Sequence, residues 1–104
     1  MAEIKYSDGR YEGDVKDGEP HGRGVYYYAD GKVCYDGEFK DGKRNGLGVC
    51  YYADGDRYDG EWKDGEKNGH GVIYYPDGKV YYDGEFKDGK WNGRGVCYYA
   101  DGDR

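Results

Sequence analysis

One sequence unit recurs four times in register along the chain, and it constrains the fold more than any other feature. The copies are spaced by 24, 23 and 24 residues and begin at Tyr11, Tyr35, Tyr58 and Tyr82. Self-similarity at such a period is typical of arrays in which each unit packs only on its neighbours. The sequence therefore predicts one continuous repeat domain, with a half repeat at 1–10 followed by repeats at 11–34, 35–57, 58–81 and 82–104.

Residues 35–57 and 82–104 are nearly identical copies. They differ at two positions, Arg44 against Trp91 and Leu47 against Arg94. Independent drift would scatter changes over the exposed positions. The pair therefore indicates either a recent duplication or an engineered array built from copied repeats, and both origins stay open.

Short β-strands separated by turn residues are predicted within each copy. In the third copy the strands are residues 58–63 and 69–75, with Asp-Gly and Asn-Gly between them. Such dipeptides favour the tight turns of antiparallel hairpins, and the abundant Gly and Tyr disfavour helix. We predict an all-β fold: an elongated, single-layer antiparallel β-meander of about nine strands, with one hairpin per repeat. Trp91 is predicted to lie in a loop between two strands.

The alternation of side chains along a strand assigns the aromatic rings and several glycines to one face. Tyr58, Gly60 and Trp62 fall on one side of their strand, and Asp59 and Glu61 fall on the other. Glycine within a strand often marks the close approach of a bulky group. The rings are therefore predicted to lie across the glycines of neighbouring strands. The alternative is that the glycines serve only turns.

The copies of 24 residues contain one residue more than the strand alternation allows. An extra residue turns the following side chains to the other face unless a bulge or a wider turn absorbs it. We expect such an irregularity near Lys32–Cys34 and near Lys79–Tyr81.

The chain is acidic, with a formal net charge of −6 and a pI near 4.8. Nucleic-acid binding relies on Lys and Arg to neutralise phosphates, so a nucleic-acid partner is not expected. The same charge disfavours attraction to anionic lipid head groups, so a membrane partner is not expected either. The N-terminus has no secretory leader pattern and no apolar run reaches transmembrane length, which predicts a cytoplasmic protein.

The residue pattern does not point to catalysis. His21 and His70, the groups that titrate near neutral pH, lie in different copies. Cys50 and Cys97 share one repeat position, which indicates packing, and roughly 19 Å should separate them, too far for a disulfide. The three cysteines include no Cys-x-x-Cys pair. We therefore expect a non-enzyme without a cofactor or a metal site.

The string Tyr-x-Gly-Glu-Trp/Phe-x-x-Gly-x-x-x-Gly-x-Gly-x-x-x-Tyr-x-Asp-Gly resembles the MORN repeat (membrane occupation and recognition nexus). The match extends from Tyr6 to Arg104, and only the first copy departs clearly, with Asp14 and Val15 in place of the Glu-Trp pair. The resemblance implies a single-layer twisted sheet with one hairpin per repeat. It also implies a scaffold or adaptor whose aromatic groove holds segments of a partner.

Aromatic residues of the first strand of each repeat would line this groove. Exposed aromatic stripes mark interaction sites, and Tyr and Trp are favoured anchors. On this interpretation a protein or peptide partner contacts Tyr35, Phe39, Tyr58, Trp62, Tyr82, Phe86 and Trp91. Two alternatives stay open: a structural or engineered array without a dedicated ligand, and, less favoured, the binding of phospholipid head groups.

The last predicted strand leaves one edge of the sheet unpaired. Its residues Val96, Cys97, Tyr98 and Tyr99 are strongly β-forming, and no proline blunts the edge. Such an edge is a template for another chain. We therefore expect self-association through this strand, as a homodimer when two edges pair across a two-fold axis.

Overall fold

The computed structural model describes residues 2–98, which form one open antiparallel sheet. The strands follow each other across the sheet in chain order, and none of the described residues is helical. The strands are β1 (Ala2–Tyr6), β2 (Gly9–Lys16), β3 (Glu19–Tyr28), β4 (Val33–Lys40), β5 (Lys43–Tyr51), β6 (Arg57–Lys63), β7 (Glu66–Tyr74), β8 (Val80–Lys87) and β9 (Lys90–Cys97). The predicted all-β meander of nine strands is confirmed.

The sheet is elongated, with principal extents of 46 × 28 × 19 Å. Its two faces differ as the strand alternation predicted. In β6, Tyr58 and Trp62 are buried, whereas Asp59 and Glu61 are exposed. We call the side that carries the buried rings the aromatic face and the other side the acidic face.

Two-residue turns connect the strands within each hairpin. Asp64 and Gly65 have φ angles of 51° and 87°, and the other three hairpins have Asp-Gly turns with positive φ at both residues. Positive φ at both central residues is the requirement of a type I′ turn, whose twist matches that of the flanking strands. The prediction of a longer loop over residues 64–69 is therefore wrong, because β7 already begins at Glu66.

The Asn-Gly dipeptide lies inside a strand and forms a bulge there. Between the cross-strand pairs Gly60–Gly71 and Trp62–Lys67, β7 contains two residues more than β6. Gly69, within the extra length, has a φ of 98°, a left-handed conformation that glycine adopts readily. The sequence signal was correct for a glycine at positive φ, but it was wrongly interpreted as a second turn.

The glutamate of the repeat motif holds this bulge from the acidic face. The carboxylate of Glu61 accepts a hydrogen bond from the backbone N–H of His70 at 2.9 Å, and that of Glu38 accepts one from Leu47 at 2.9 Å. A bulge removes backbone groups from the ladder, and they need other partners. The sequence analysis placed this residue on the correct face but did not predict its structural role.

The two predicted irregularities of the 24-residue copies are confirmed as bulges. Val33 and Tyr35 pair with consecutive residues of β3, so Cys34 is the extra residue of β4. Tyr81 is the extra residue of β8 in the same way. Cys34 is buried and Tyr81 packs against the hydrophobic core, so the bulges turn both side chains toward the aromatic face.

Candidate functional site

A continuous row of aromatic rings crosses the strands on the aromatic face. Successive rings have centroid separations of 4.5–5.3 Å, and all but the last pair meet edge to face. This row, which we call the ring ladder, consists of Tyr11, Phe39, Tyr35, Trp62, Tyr58, Phe86, Tyr82 and Trp91 in spatial order. Edge-to-face pairs add to the stability gained from burial. The ladder supplies most of the core of this single-layer sheet.

Each tyrosine of the ladder is fixed by its hydroxyl as well as by its ring. The Tyr58 hydroxyl donates a hydrogen bond to the Glu61 carbonyl at 2.9 Å, and the other three ladder tyrosines donate to the carbonyl three residues later. A Cβ atom added at Gly71 would overlap the Tyr58 ring. The predicted packing of rings across glycines is therefore confirmed. Burial raises the pKa of the Tyr58 hydroxyl, which keeps it protonated as a donor.

Six of the seven residues that were predicted to line a groove are buried in the ladder, at most 7% exposed: Tyr35, Phe39, Tyr58, Trp62, Tyr82 and Phe86. Trp91 differs, since its side chain is 49% exposed and stacks on Tyr82 with an interplanar angle of 2°. The prediction that it occupies a loop is wrong, because it lies in β9 opposite Phe86. The six buried rings form the floor of this face, and their contact with a partner stays a prediction.

One variable repeat position contributes much of the surface above the ring ladder. Each of its residues pairs directly with a residue of the preceding strand on the aromatic face. We call these residues the cover row: Pro20, Arg44, Lys67 and Trp91. Arg44 Cζ lies 4.9 Å from the ring centroid of Tyr35, and Lys67 Nζ lies 5.2 Å from that of Tyr58. The sequence signal was the variation at this position between otherwise similar copies.

The turn of each following hairpin fixes the backbone of the cover row. The N–H of Gly42 donates to the carbonyl of Pro20 at 2.9 Å, and the N–H of Gly65 donates to that of Arg44 at 2.9 Å. The N–H of Gly89 donates to Lys67 at 3.0 Å. These bonds join adjacent hairpins at their turn ends, so the cover-row side chains project from a fixed backbone.

The cationic side chains of the cover row contrast with the net charge of the chain. Arg44 and Lys67 are partly buried, and neither is paired with a carboxylate within the described range 2–98. Burial lowers the pKa of the Lys67 ammonium, and the nearby charge of Arg44 lowers it further. An anionic group at this position would therefore have two partly desolvated cations to pair with.

Two of the three cysteines meet on the aromatic face, which the sequence analysis missed. Cys34 and Cys50 are 8% and 3% exposed. The Arg44 guanidinium reaches both, with Nη2 at 3.5 Å from Cys34 Sγ and Nη1 at 3.7 Å from Cys50 Sγ. The analysis compared Cys50 only with its repeat equivalent, Cys97. The predicted bulge near Cys34 was the signal that could have revealed this pair.

The predicted association edge is shorter in the structure than in the sequence. Within the described residues β9 pairs with β8 alone, and Val96 is 43% exposed. The strand ends at Cys97, and the N–H of Tyr98 donates to the carbonyl of Tyr81 at 2.7 Å. Tyr99 lies outside the described residues. Association through this edge stays a prediction.

These features define a class of protein: a single-layer repeat module with a ring ladder beneath a row of variable side chains. The family model of the MORN repeat matches residues 11–33, 35–57, 58–80 and 82–104. The chain therefore belongs to the MORN-repeat family. The matched segments leave out Cys34 and Tyr81, the two bulged residues. The comparison with curated proteins gives no match.

MORN repeats are generally modules for interaction with proteins or membranes, and the family is typically non-catalytic. Residues 2–98 contain no helix that is long and apolar enough to cross a membrane. The family thus gives the general type of function, and the surface chemistry of this chain must indicate the kind of partner.

Proposed function

We propose that the chain is a non-catalytic binding module that presents its aromatic face to an acidic peptide segment of a partner protein. The supporting observation is the position of Arg44 and Lys67 above the ring ladder. Both cations lie over aromatic rings, and no carboxylate in the described part of the chain pairs with them. A partner's carboxylates would gain charge-assisted hydrogen bonds while the cation–π contacts persist.

An aromatic anchor and a cavity flank the two cations. Trp91 is half exposed, and its stacking on Tyr82 at 4.5 Å fixes its orientation before a partner arrives. Preorganised aromatic side chains lose little entropy on binding. On the other side, a cavity of ≈ 470 Å³ beside Arg44 has room for a side chain. The proposed ligand is therefore a segment that combines Asp or Glu with apolar residues.

Two other functions compete with this proposal. A purely structural or engineered array would have no dedicated ligand, and it would need Arg44 and Lys67 only to cover rings. Phospholipid head groups would also be attracted to these two cations, but the net charge of −6 opposes approach to an anionic membrane. The experiment below separates the three functions.

Selection from a phage-displayed library of random peptides tests the proposed ligand class. We expect the wild-type chain to enrich peptides rich in Asp and Glu. The double variant Arg44→Glu/Lys67→Glu should bind these peptides at least about tenfold more weakly, because even one lost charge-assisted hydrogen bond is worth about 1.5–3 kcal/mol. Fluorescence anisotropy of a labelled enriched peptide measures the loss.

The matched control is Arg23→Glu/Arg94→Glu, which makes the same charge change on the exposed acidic face. It should bind the peptides nearly as well as the wild type. Equal losses in both double variants would reduce the effect to net charge and contradict the proposal. The absence of any enriched peptide would favour the structural array. Flotation with vesicles containing phosphatidylserine at physiological salt, abolished by Arg44→Glu/Lys67→Glu, would favour lipid binding.

We also propose that the chain self-associates through β9. Val96 is exposed on this edge strand, and edge strands pair readily with other chains. Sedimentation at tens of micromolar should detect a dimer, and both Val96→Pro and Tyr98→Lys should weaken it. Proline removes a backbone donor from the edge, and lysine adds a charge to it. A chain that stays monomeric at all concentrations would contradict this proposal.

A further inference from the structure

The bulge in β4 creates a pair of cysteines that a regular strand would keep apart. Neighbouring residues of a strand normally point to opposite faces. Here the bulge turns Cys34 to the face of Tyr35, which lies directly opposite Cys50. A residue next to the directly opposite one is about 6 Å away between Cα atoms, within the range of a disulfide. The strands can therefore remain in register when the two sulfurs bond.

Donor groups surround the Cys34 sulfur. The Cys50 thiol is its hydrogen-bond partner, the Tyr28 hydroxyl is within reach, and Arg44 Nη2 lies 3.5 Å away. These donors, the Cys50 thiol above all, outweigh burial and lower the pKa of Cys34 to about 6. The same hydrogen bond raises the pKa of Cys50, which keeps its proton. At neutral pH Cys34 is the thiolate, which is the nucleophilic form.

A cavity gives small molecules a path to this thiolate. Its volume is ≈ 470 Å³, and Cys34, Tyr28, Phe39 and Arg44 are among its walls. Lys43 also lines it, as does Asp8, whose carboxylate accepts a hydrogen bond from the Tyr26 hydroxyl at 2.6 Å. A single water molecule occupies about 30 Å³ in the liquid, so a peroxide fits beside the sulfur.

We propose that Cys34 and Cys50 form a peroxide-sensitive pair that closes to a cross-strand disulfide. The Cys34 thiolate attacks one oxygen of hydrogen peroxide, so that the S–O bond forms and the O–O bond breaks. The hydroxide released takes a proton and leaves as water. Cys34 is then a sulfenic acid, oxidised by two electrons, while the peroxide is reduced by two.

Cys50 completes the reaction as the resolving thiol. Its sulfur attacks the sulfur of Cys34, the S–S bond forms, the S–O bond breaks, and hydroxide leaves with the proton of Cys50 as water. Oxidation of Cys34 prepares this step, because the sulfenic acid lacks the negative charge that raised the pKa of Cys50. Arg44 and Lys67, which lower that pKa, remain in place. Overall, two thiols and one peroxide give one disulfide and two waters.

The last repeat provides a natural comparison within the same chain. Cys97 occupies the repeat position of Cys50, but Tyr81 stands at the position of Cys34 and Trp91 at that of Arg44. Cys97 therefore lacks both the thiol neighbour and the guanidinium. This comparison predicts that Cys97 reacts with peroxide as an ordinary thiol.

Intact-mass measurement of the Cys97→Ser protein, treated with hydrogen peroxide at pH 7, tests the proposal. The protein should lose two hydrogen masses, and a tryptic digest should contain one disulfide that joins the peptides of Cys34 and Cys50. Dithiothreitol should reverse both changes. In Cys50→Ser/Cys97→Ser, a sulfenic acid should form on Cys34 and react with dimedone, whereas Cys34→Ser/Cys97→Ser should form neither product.

The pH dependence of alkylation gives a second measurement that does not depend on cysteine variants folding. Iodoacetamide should modify Cys34 in the folded Cys97→Ser protein with a midpoint near pH 6, whereas the same protein in denaturant should show a midpoint at about pH 8.5. Arg44→Met should slow disulfide formation several-fold. Oxidation of Cys34 to a sulfinic acid without a disulfide, or equal midpoints in the two states, would overturn the proposal.

Discussion

The Gly71→Ala chain is expected to be severely destabilised, although the substitution adds a single methyl group. A Cβ atom at Gly71 would lie well below 3.0 Å from three atoms of the Tyr58 side chain. Tyr58 cannot yield, because it is fully buried, bonded through its hydroxyl to Glu61, and 5.1 Å in centroid distance from both neighbouring ladder rings. Expelling such a ring costs about 3–5 kcal/mol, comparable to truncating a buried aromatic. Urea unfolding followed by tyrosine fluorescence measures this loss.

Gly65→Ala is the matched control for this substitution. Gly65 lies in a turn with a φ of 87°, and no heavy atom lies within 4 Å of the position that a Cβ would take. Only the left-handed backbone is penalised there, at about 1 kcal/mol. If Gly65→Ala were as destabilising as Gly71→Ala, backbone conformation would explain both results, and the ring-on-glycine packing would lose its support.

Trp62→Ala is expected to lower the free energy of unfolding by about 3–5 kcal/mol, as other truncations of buried aromatics do. Trp62 is 6% exposed, meets Tyr35 and Tyr58 edge to face, and donates its indole N–H to the Gly48 carbonyl at 3.0 Å. Removal of the indole interrupts the ring ladder at its middle. Chemical denaturation monitored by circular dichroism at a tyrosine band gives the difference.

Two substitutions within the same chain calibrate the effect of Trp62→Ala. Trp91→Ala should be far less destabilising, because Trp91 is 49% exposed at the end of the ladder. Trp62→Phe should cost about 1 kcal/mol, mainly for the lost hydrogen bond, because Phe39 and Phe86 occupy the same repeat position. Equal destabilisation by Trp62→Ala and Trp91→Ala would contradict the position of the ladder.

The candidate site was only partly predictable from the sequence. The analysis assigned Tyr58 and Trp62 to the correct face, but it could not tell whether their rings would be exposed or covered. Burial depends on the cover row, and the residues of this row seemed to lie in a loop. The Asn-Gly signal caused this error: a glycine at positive φ fits a turn and a bulge equally well, and only the pairing partner of Lys67 decides between them.

The Cys34–Cys50 pair was missed for a related reason. Repeat position alone groups Cys50 with Cys97, and this comparison correctly predicts that those two are far apart. A contact between Cys34 and Cys50 depends on which way a bulged residue points, and the direction becomes fixed only when the strands pair.

The sequence by itself determined the number of strands, their order and the face of each ladder residue. These properties are local: a period of 23 or 24 residues, Asp-Gly turns and strict alternation leave a short antiparallel meander as the simplest consistent fold. Only the tertiary structure decided which residues form the surface of the aromatic face. Arg44, Lys67 and Trp91 reach it because a two-residue turn and an internal bulge set the register, and cross-strand register is a property of two strands together.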